Sequence, residues 1–183
     1  SGKMYSQSIR FYFSEKSISK GDSVWLKWRI SKISPKKIKT LTVTEYRGDT
    51  LLNQFTGMED SLLIIGKESK KYRITVKTGW WKTTNRIATI RVYNPAFAII
   101  DYPEKAIPGD YYSLDYRTKY ADYVIIGNDT TKYPPESSLL WQADSSGKFT
   151  IEAFNNNGYS HKHTIHYALK TDRNIYVDTV VCA

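Results

Sequence analysis

Three histidines fall within six residues, in the run His161-Lys162-His163-Thr164-Ile165-His166. On a strand, side chains alternate between faces, so His161 and His163 share one face and His166 takes the other. Two imidazoles on one face could begin a zinc site, but such a site needs further ligands and no third partner is evident in the sequence. The run reads instead as an exposed, wet hairpin strand. Nucleophilic chemistry finds less. The one cysteine, Cys182, has no histidine near it in sequence and leaves no intrachain disulfide to form. No Gly-x-Ser-x-Gly elbow occurs, and the ten glycines build neither GxGxxG nor GxxxxGK[ST]. Carboxylates are scattered. The expectation is therefore a non-enzymatic protein with no metal and no cofactor.

Recognition chemistry is better represented. Trp80 and Trp81 stand side by side in Thr78-Gly79-Trp80-Trp81-Lys82. Two large rigid aromatics can anchor a protein interface or stack on a sugar ring, because they bury much area at low entropy cost. They can also fold back over their own domain. A second patch is Lys36, Lys37 and Lys39 in Ser34-Pro35-Lys36-Lys37-Ile38-Lys39, the only dense cluster of charge. The net charge of +9 is split unevenly: residues 1–95 carry 19 Lys+Arg against 7 Asp+Glu, a net +12, and residues 96–183 carry 8 against 11, a net −3. A basic first half suits nucleic acid, an anionic polysaccharide or lipid surface, or an acidic protein, and is equally read as a solvated surface. Trp25, Lys27 and Arg29 alternate outward as a nucleic-acid platform would require, yet no further pattern of that kind accompanies them, so nucleic acid is not expected.

The elements that carry these residues read as strands. In Val24-Trp25-Leu26-Lys27-Trp28-Arg29-Ile30, the residues Val24, Leu26, Trp28 and Ile30 share one face. Tyr72-Ile74-Val76 and Phe149-Ile151-Ala153 repeat the alternation, and 15 tyrosines agree with β structure. The text also repeats itself. Gly21 to Trp28 lines up with Gly109 to Tyr116, and Ser61 to Val76 aligns without gaps to Ser138 to Ala153. The first copy is longer, because an insertion falls between Trp28 and Ser61. Pro95 marks the seam. The implied organisation is a basic domain over 1–95, a shorter one over 96–170, and a tail over 171–183 that either adds an edge strand or begins a further domain. In this alignment Trp80 and Trp81 fall in the last hairpin of the first domain, where the second has Asn155-Asn156-Asn157-Gly158.

The pattern resembles the bacterial immunoglobulin-like sandwich domains found in tandem on exported proteins. Ile18, Gly21, Val24, Leu26 and Trp28 carry the family's opening phrase, followed by Ser61, Leu62, Tyr72, Ile74 and Val76. In the second copy Ile107, Gly109, Leu114 and Tyr116 match, then Ser138, Leu139, Phe149, Ile151, Ala153, Asn155 and Gly158. The resemblance implies an all-β chain of two tandem immunoglobulin-like β-sandwiches. It also implies export to the periplasm, the outer membrane or the extracellular space, with no membrane span in these residues. The expected role is to space, adhere or assemble by protein–protein contact in a cell envelope or surface complex. The contact residues are Trp80, Trp81 and Lys82, with Lys36, Lys37 and Lys39 as a second patch. The alternatives are a carbohydrate-binding module using the same tryptophans, with polysaccharide as partner, or accessory domains of an enzyme outside these residues. The opening Ser1-Gly2-Lys3-Met4 looks like a cloning remnant, so a leader or anchor upstream is compatible with this reading.

Overall fold

The computed structural model describes residues 8–52, 57–79 and 82–170. Internal contacts divide the chain into two units, Ser1–Pro95 with Asn155–Tyr159, and Ala96–Phe154 with Ser160–Ala183. The first unit runs through β1 (Ser8–Phe13), β2 (Ser17–Ser19) and β3 (Ser23–Ser31) to a single 3-10 turn, Pro35–Lys37. It continues with β4 (Ile38–Glu45), β5 (Thr50–Leu52), β6 (Glu59–Ile65), β7 (Lys70–Thr78) and β8 (Lys82–Tyr93). One sheet has the order β1-β3-β6 and the other β2-β8-β7-β4-β5. Only the β2–β8 pairing is parallel among these strands.

The period-2 pattern explains the layering. Along β3, Val24, Leu26, Trp28 and Ile30 are buried, while Trp25 and Arg29 are exposed. Leu41 and Val43 of β4, Tyr72, Ile74 and Val76 of β7, and Ala88 and Ile90 of β8 join the same core from the facing sheet. Each large apolar side chain buried this way contributes about 1.5–3 kcal/mol, which is what holds two sheets together without a disulfide.

The second unit repeats the plan with β9 (Ala96–Asp101), β10 (Lys105–Ala106), β11 (Tyr111–Lys119), β12 (Tyr123–Ile126), β13 (Glu136–Gln142), β14 (Lys148–Phe154), β15 (Ser160–His166) and β16 (Ala168–Leu169). Its sheets are β13-β11-β9 and β12-β14-β15, with β10 and β16 pairing in parallel. Leu114, Tyr116, Val124, Ile151, Ala153 and Ile165 form the core between them.

Matched positions adopt matched backbone. Gly21 and Gly109 both take left-handed φ, +91° and +92°, a region where a side chain is strained. Each closes the same turn: the Gly21 N–H donates to Gly66 O at 2.8 Å, and the Gly109 N–H donates to Ala143 O at 2.7 Å. In each unit a three-stranded sheet, β1-β3-β6 or β9-β11-β13, faces one built on the last hairpin, the arrangement of an immunoglobulin-like sandwich. The chain is all-β, with two such sandwiches in tandem. The insertion in the first copy adds β5 and gives β4 eight residues where β12 has four. The tail over 171–183 lies outside the described residues.

Candidate interaction surface

Two connections of the first unit build one concavity. The link from β3 to β4 is tied down at both ends: Ile33 packs against the core and Ile38 is buried in it. At its start Lys32 takes left-handed φ, +62°, which turns the chain out of β3. Ser34 then precedes Pro35, whose fixed φ suits the first position of a helical turn. The Lys37 N–H donates to Ser34 O at 3.0 Å, and the Ile38 N–H donates to Pro35 O. With the isoleucines inward, Lys32, Lys36 and Lys37 are left exposed. The register of β4 against β7 then shifts between Ile38 and Thr40, so Lys39 is the additional residue of a bulge and is also exposed.

The second connection is the β7–β8 hairpin. Thr78 pairs with Lys82, and Thr78 Oγ1 donates to Lys82 O at 3.4 Å. Together the two connections line a cavity of about 560 Å³, bounded by Lys32, Ile33, Ser34, Lys36, Lys37, Lys39, Thr78, Gly79 and Lys82. Five of these nine residues are lysines and none is an Asp or Glu. The described ion pairs of this unit join Arg29 to Glu59 and Lys70 to Glu45 and Glu68, so none involves Lys32, Lys36, Lys37 or Lys82. The cavity therefore carries a concentrated positive potential.

Lys82 and the Lys36–Lys37–Lys39 patch, separate in sequence, are thus brought to one rim. Trp80 and Trp81 lie outside the described residues. Lys32 was not singled out by sequence reasoning. Its signal was proximity to the lysine cluster, with Ile33, Ser34 and Pro35 between Lys32 and Lys36.

A second surface was also missed. Trp25, which alternates outward with Lys27 and Arg29, sits directly opposite Leu63 and on the same face as Tyr12 and Ile65. All four are exposed. In the Leu62-Leu63-Ile64-Ile65 text of β6, only the register shows which residues turn outward. The same face carries Arg10, Lys27 and Arg29 beside these apolar side chains.

His161 and His163 share a face as their spacing requires, and both lie beside the Phe97 ring, at centroid distances of 6.2 and 6.4 Å. Among the described residues no group of three or more His, Cys, Asp or Glu side chains is placed to hold a metal ion. No described helix is long and apolar enough to cross a membrane.

No family model matches the chain, and no curated protein matches it. Solved structures do. A chimeric titin Z1Z2 carrying a decorin peptide is 16% identical, with 92% of this chain and 100% of that chain covered and a TM-score of 0.38. Murine CEACAM1b is 10% identical over 89% of this chain and 100% of its own, with a TM-score of 0.38. Fibronectin(III)-like modules of Clostridium thermocellum CbhA are 7% identical, with coverage of 88% and 95% and a TM-score of 0.35.

Proposed function

We propose that this chain is a non-catalytic interaction module of an exported bacterial protein, which spaces, presents or assembles by protein–protein contact in a cell-envelope or surface complex. Its contact surface is the end of the first unit that carries Lys36, Lys37, Lys39, Lys82 and the adjoining Trp80 and Trp81. The observation that carries this reading is the shared cavity: the β3–β4 connection and the β7–β8 hairpin, far apart in sequence, line one concavity. The matching connection of the second unit has no lysine between Tyr120 and Tyr123, which fits a partner-specific addition to a spacer rather than a requirement of the sandwich.

The test is affinity capture from envelope extract of the parent organism, using the whole chain and its Trp80→Ala/Trp81→Ala variant, with captured proteins identified by mass spectrometry. A protein retained by the parent chain and lost with the variant is the expected result. Capture that is indifferent to the tryptophans counts against this contact surface. A parallel glycan screen separates the carbohydrate-binding alternative: glycan binding that depends on the same tryptophans would replace the protein-contact reading.

A further inference from the structure

We infer that the lysine-lined cavity of the first unit receives an acidic, extended segment of a partner protein, with carboxylates set among its lysines and an apolar side chain against Ile33. This rests on the protein-contact reading above and adds the chemistry of the partner. The charge argument stands on Lys32, Lys36, Lys37 and Lys82. Two other cations of the unit do meet acids: Arg29 takes Glu59 through two hydrogen bonds of 2.8 Å each, and Lys70 lies 2.9 Å from Glu45. No carboxylate is found among the described residues that line the cavity. Ammonium groups gathered around one concavity repel one another, and incoming carboxylates convert that repulsion into attraction and steer association.

The apolar wall beside the lysines favours a protein segment over other polyanions. The volume, about 560 Å³, and the wall offered by Ile33 exceed what a single inorganic anion uses and suit several side chains of mixed character.

The experiment is fluorescence anisotropy on the intact chain. The probes are a labelled octapeptide alternating glutamate with valine, its glutamine counterpart, inorganic pyrophosphate, a sulfated heparin oligosaccharide and a single-stranded oligonucleotide. The glutamate peptide is expected to bind, the glutamine peptide not to. Lys36→Glu/Lys37→Glu should weaken binding at least about tenfold, whereas Lys119→Glu/Lys162→Glu in the second unit should leave it unchanged. Added salt should weaken it in parallel. The substituted lysines are exposed, and circular dichroism checks that the variants fold. Tighter binding of the oligosaccharide, the oligonucleotide or pyrophosphate through the same lysines would overturn the proposal, as would peptide binding indifferent to Lys36→Glu/Lys37→Glu. Loss of the captured partner with Trp80→Ala/Trp81→Ala, but not with Lys36→Glu/Lys37→Glu, would sink the acidic segment while leaving the contact reading intact.

Discussion

Trp28 in β3 and Tyr116 in β11 occupy the same place in the two sandwiches, and they solve the problem of a buried polar atom differently. Trp28 is 1% exposed and its Nε1 has no hydrogen-bond partner among the described residues. Tyr116 is 2% exposed, and its hydroxyl donates to Pro134 O at 3.0 Å. The first unit accepts an unpaired donor, a cost of about 1–3 kcal/mol, in exchange for the larger ring. It can do so because five strands in its second sheet supply a larger core than the three of the second unit. The smaller core takes the smaller ring and satisfies its hydroxyl. Size of core, not kind of fold, separates the two units.

The largest test of that comparison empties each site in turn. Trp28→Ala should cost about 3–5 kcal/mol in urea unfolding of the whole chain, and Tyr116→Ala less. An equal cost at the two positions would break the argument that the first unit depends on ring size more than the second. Next is alkaline pH. Burial pushes the Tyr116 hydroxyl up to about 12, above the ordinary tyrosine value. The folded state thus keeps a proton that the unfolded chain loses near pH 10. The stabilisation is whole below that pH and is lost as pH rises to about 12, a fall of order 2 kcal/mol. In Tyr116→Phe the unfolding midpoint should vary less across that window, and an unchanged slope would assign the fall elsewhere.

A smaller effect tests the backbone that the units share. At Gly109 nothing lies within 4 Å of where a Cβ would stand, so Gly109→Ala isolates the strain of its left-handed φ. The expected cost is about 1–2 kcal/mol by thermal unfolding, and a neutral substitution would mean the turn relaxes. The smallest effect concerns a pair of surface ion pairs at matched positions, Arg29–Glu59 at 2.8 Å and Arg117–Glu136 at 2.6 Å. All four side chains are more than half exposed, so Glu59→Gln and Glu136→Gln should leave the urea midpoint unchanged within error. A clear loss at Glu59 alone would show that the two-point grip of Arg29 matters where the single contact of Arg117 does not.

The comparison extends to the connections that follow these strands. Lys32 and Tyr120 both leave their strand with left-handed φ, +62° and +59°. The fold asks for that step in both units, but the residue making it differs. In the second unit β12 begins at Tyr123, three residues after Tyr120 and without a lysine between. In the first unit the longer link has room for Lys36 and Lys37 before β4 begins. The lysine cavity is built on that extra length.

Much of the fold was legible because strands write their burial directly into a two-residue period. The alternation at Val24, Leu26, Trp28 and Ile30 fixed which face of β3 is core, and the internal repeat aligned β6 with β13 and β7 with β14 before any coordinate. Glycine was equally informative, since Gly21 and Gly109 mark a backbone step that few other residues make. The periodicity failed where apolar residues run together. In Leu62-Leu63-Ile64-Ile65 no residue declares its face, and only pairing with β3 turns Leu63 and Ile65 outward.

The local facts, then, belong to the sequence: strand identity, core face, turn glycines and the two lysine-bearing segments. Each depends on neighbours along the chain, where alternation and φ preference act. Tertiary structure decided which distant segments meet. Nothing in the text near Lys36 refers to Lys82, and nothing near Trp25 refers to Leu63. Their proximity follows from strand order and register, which are set by how two sheets close over one core.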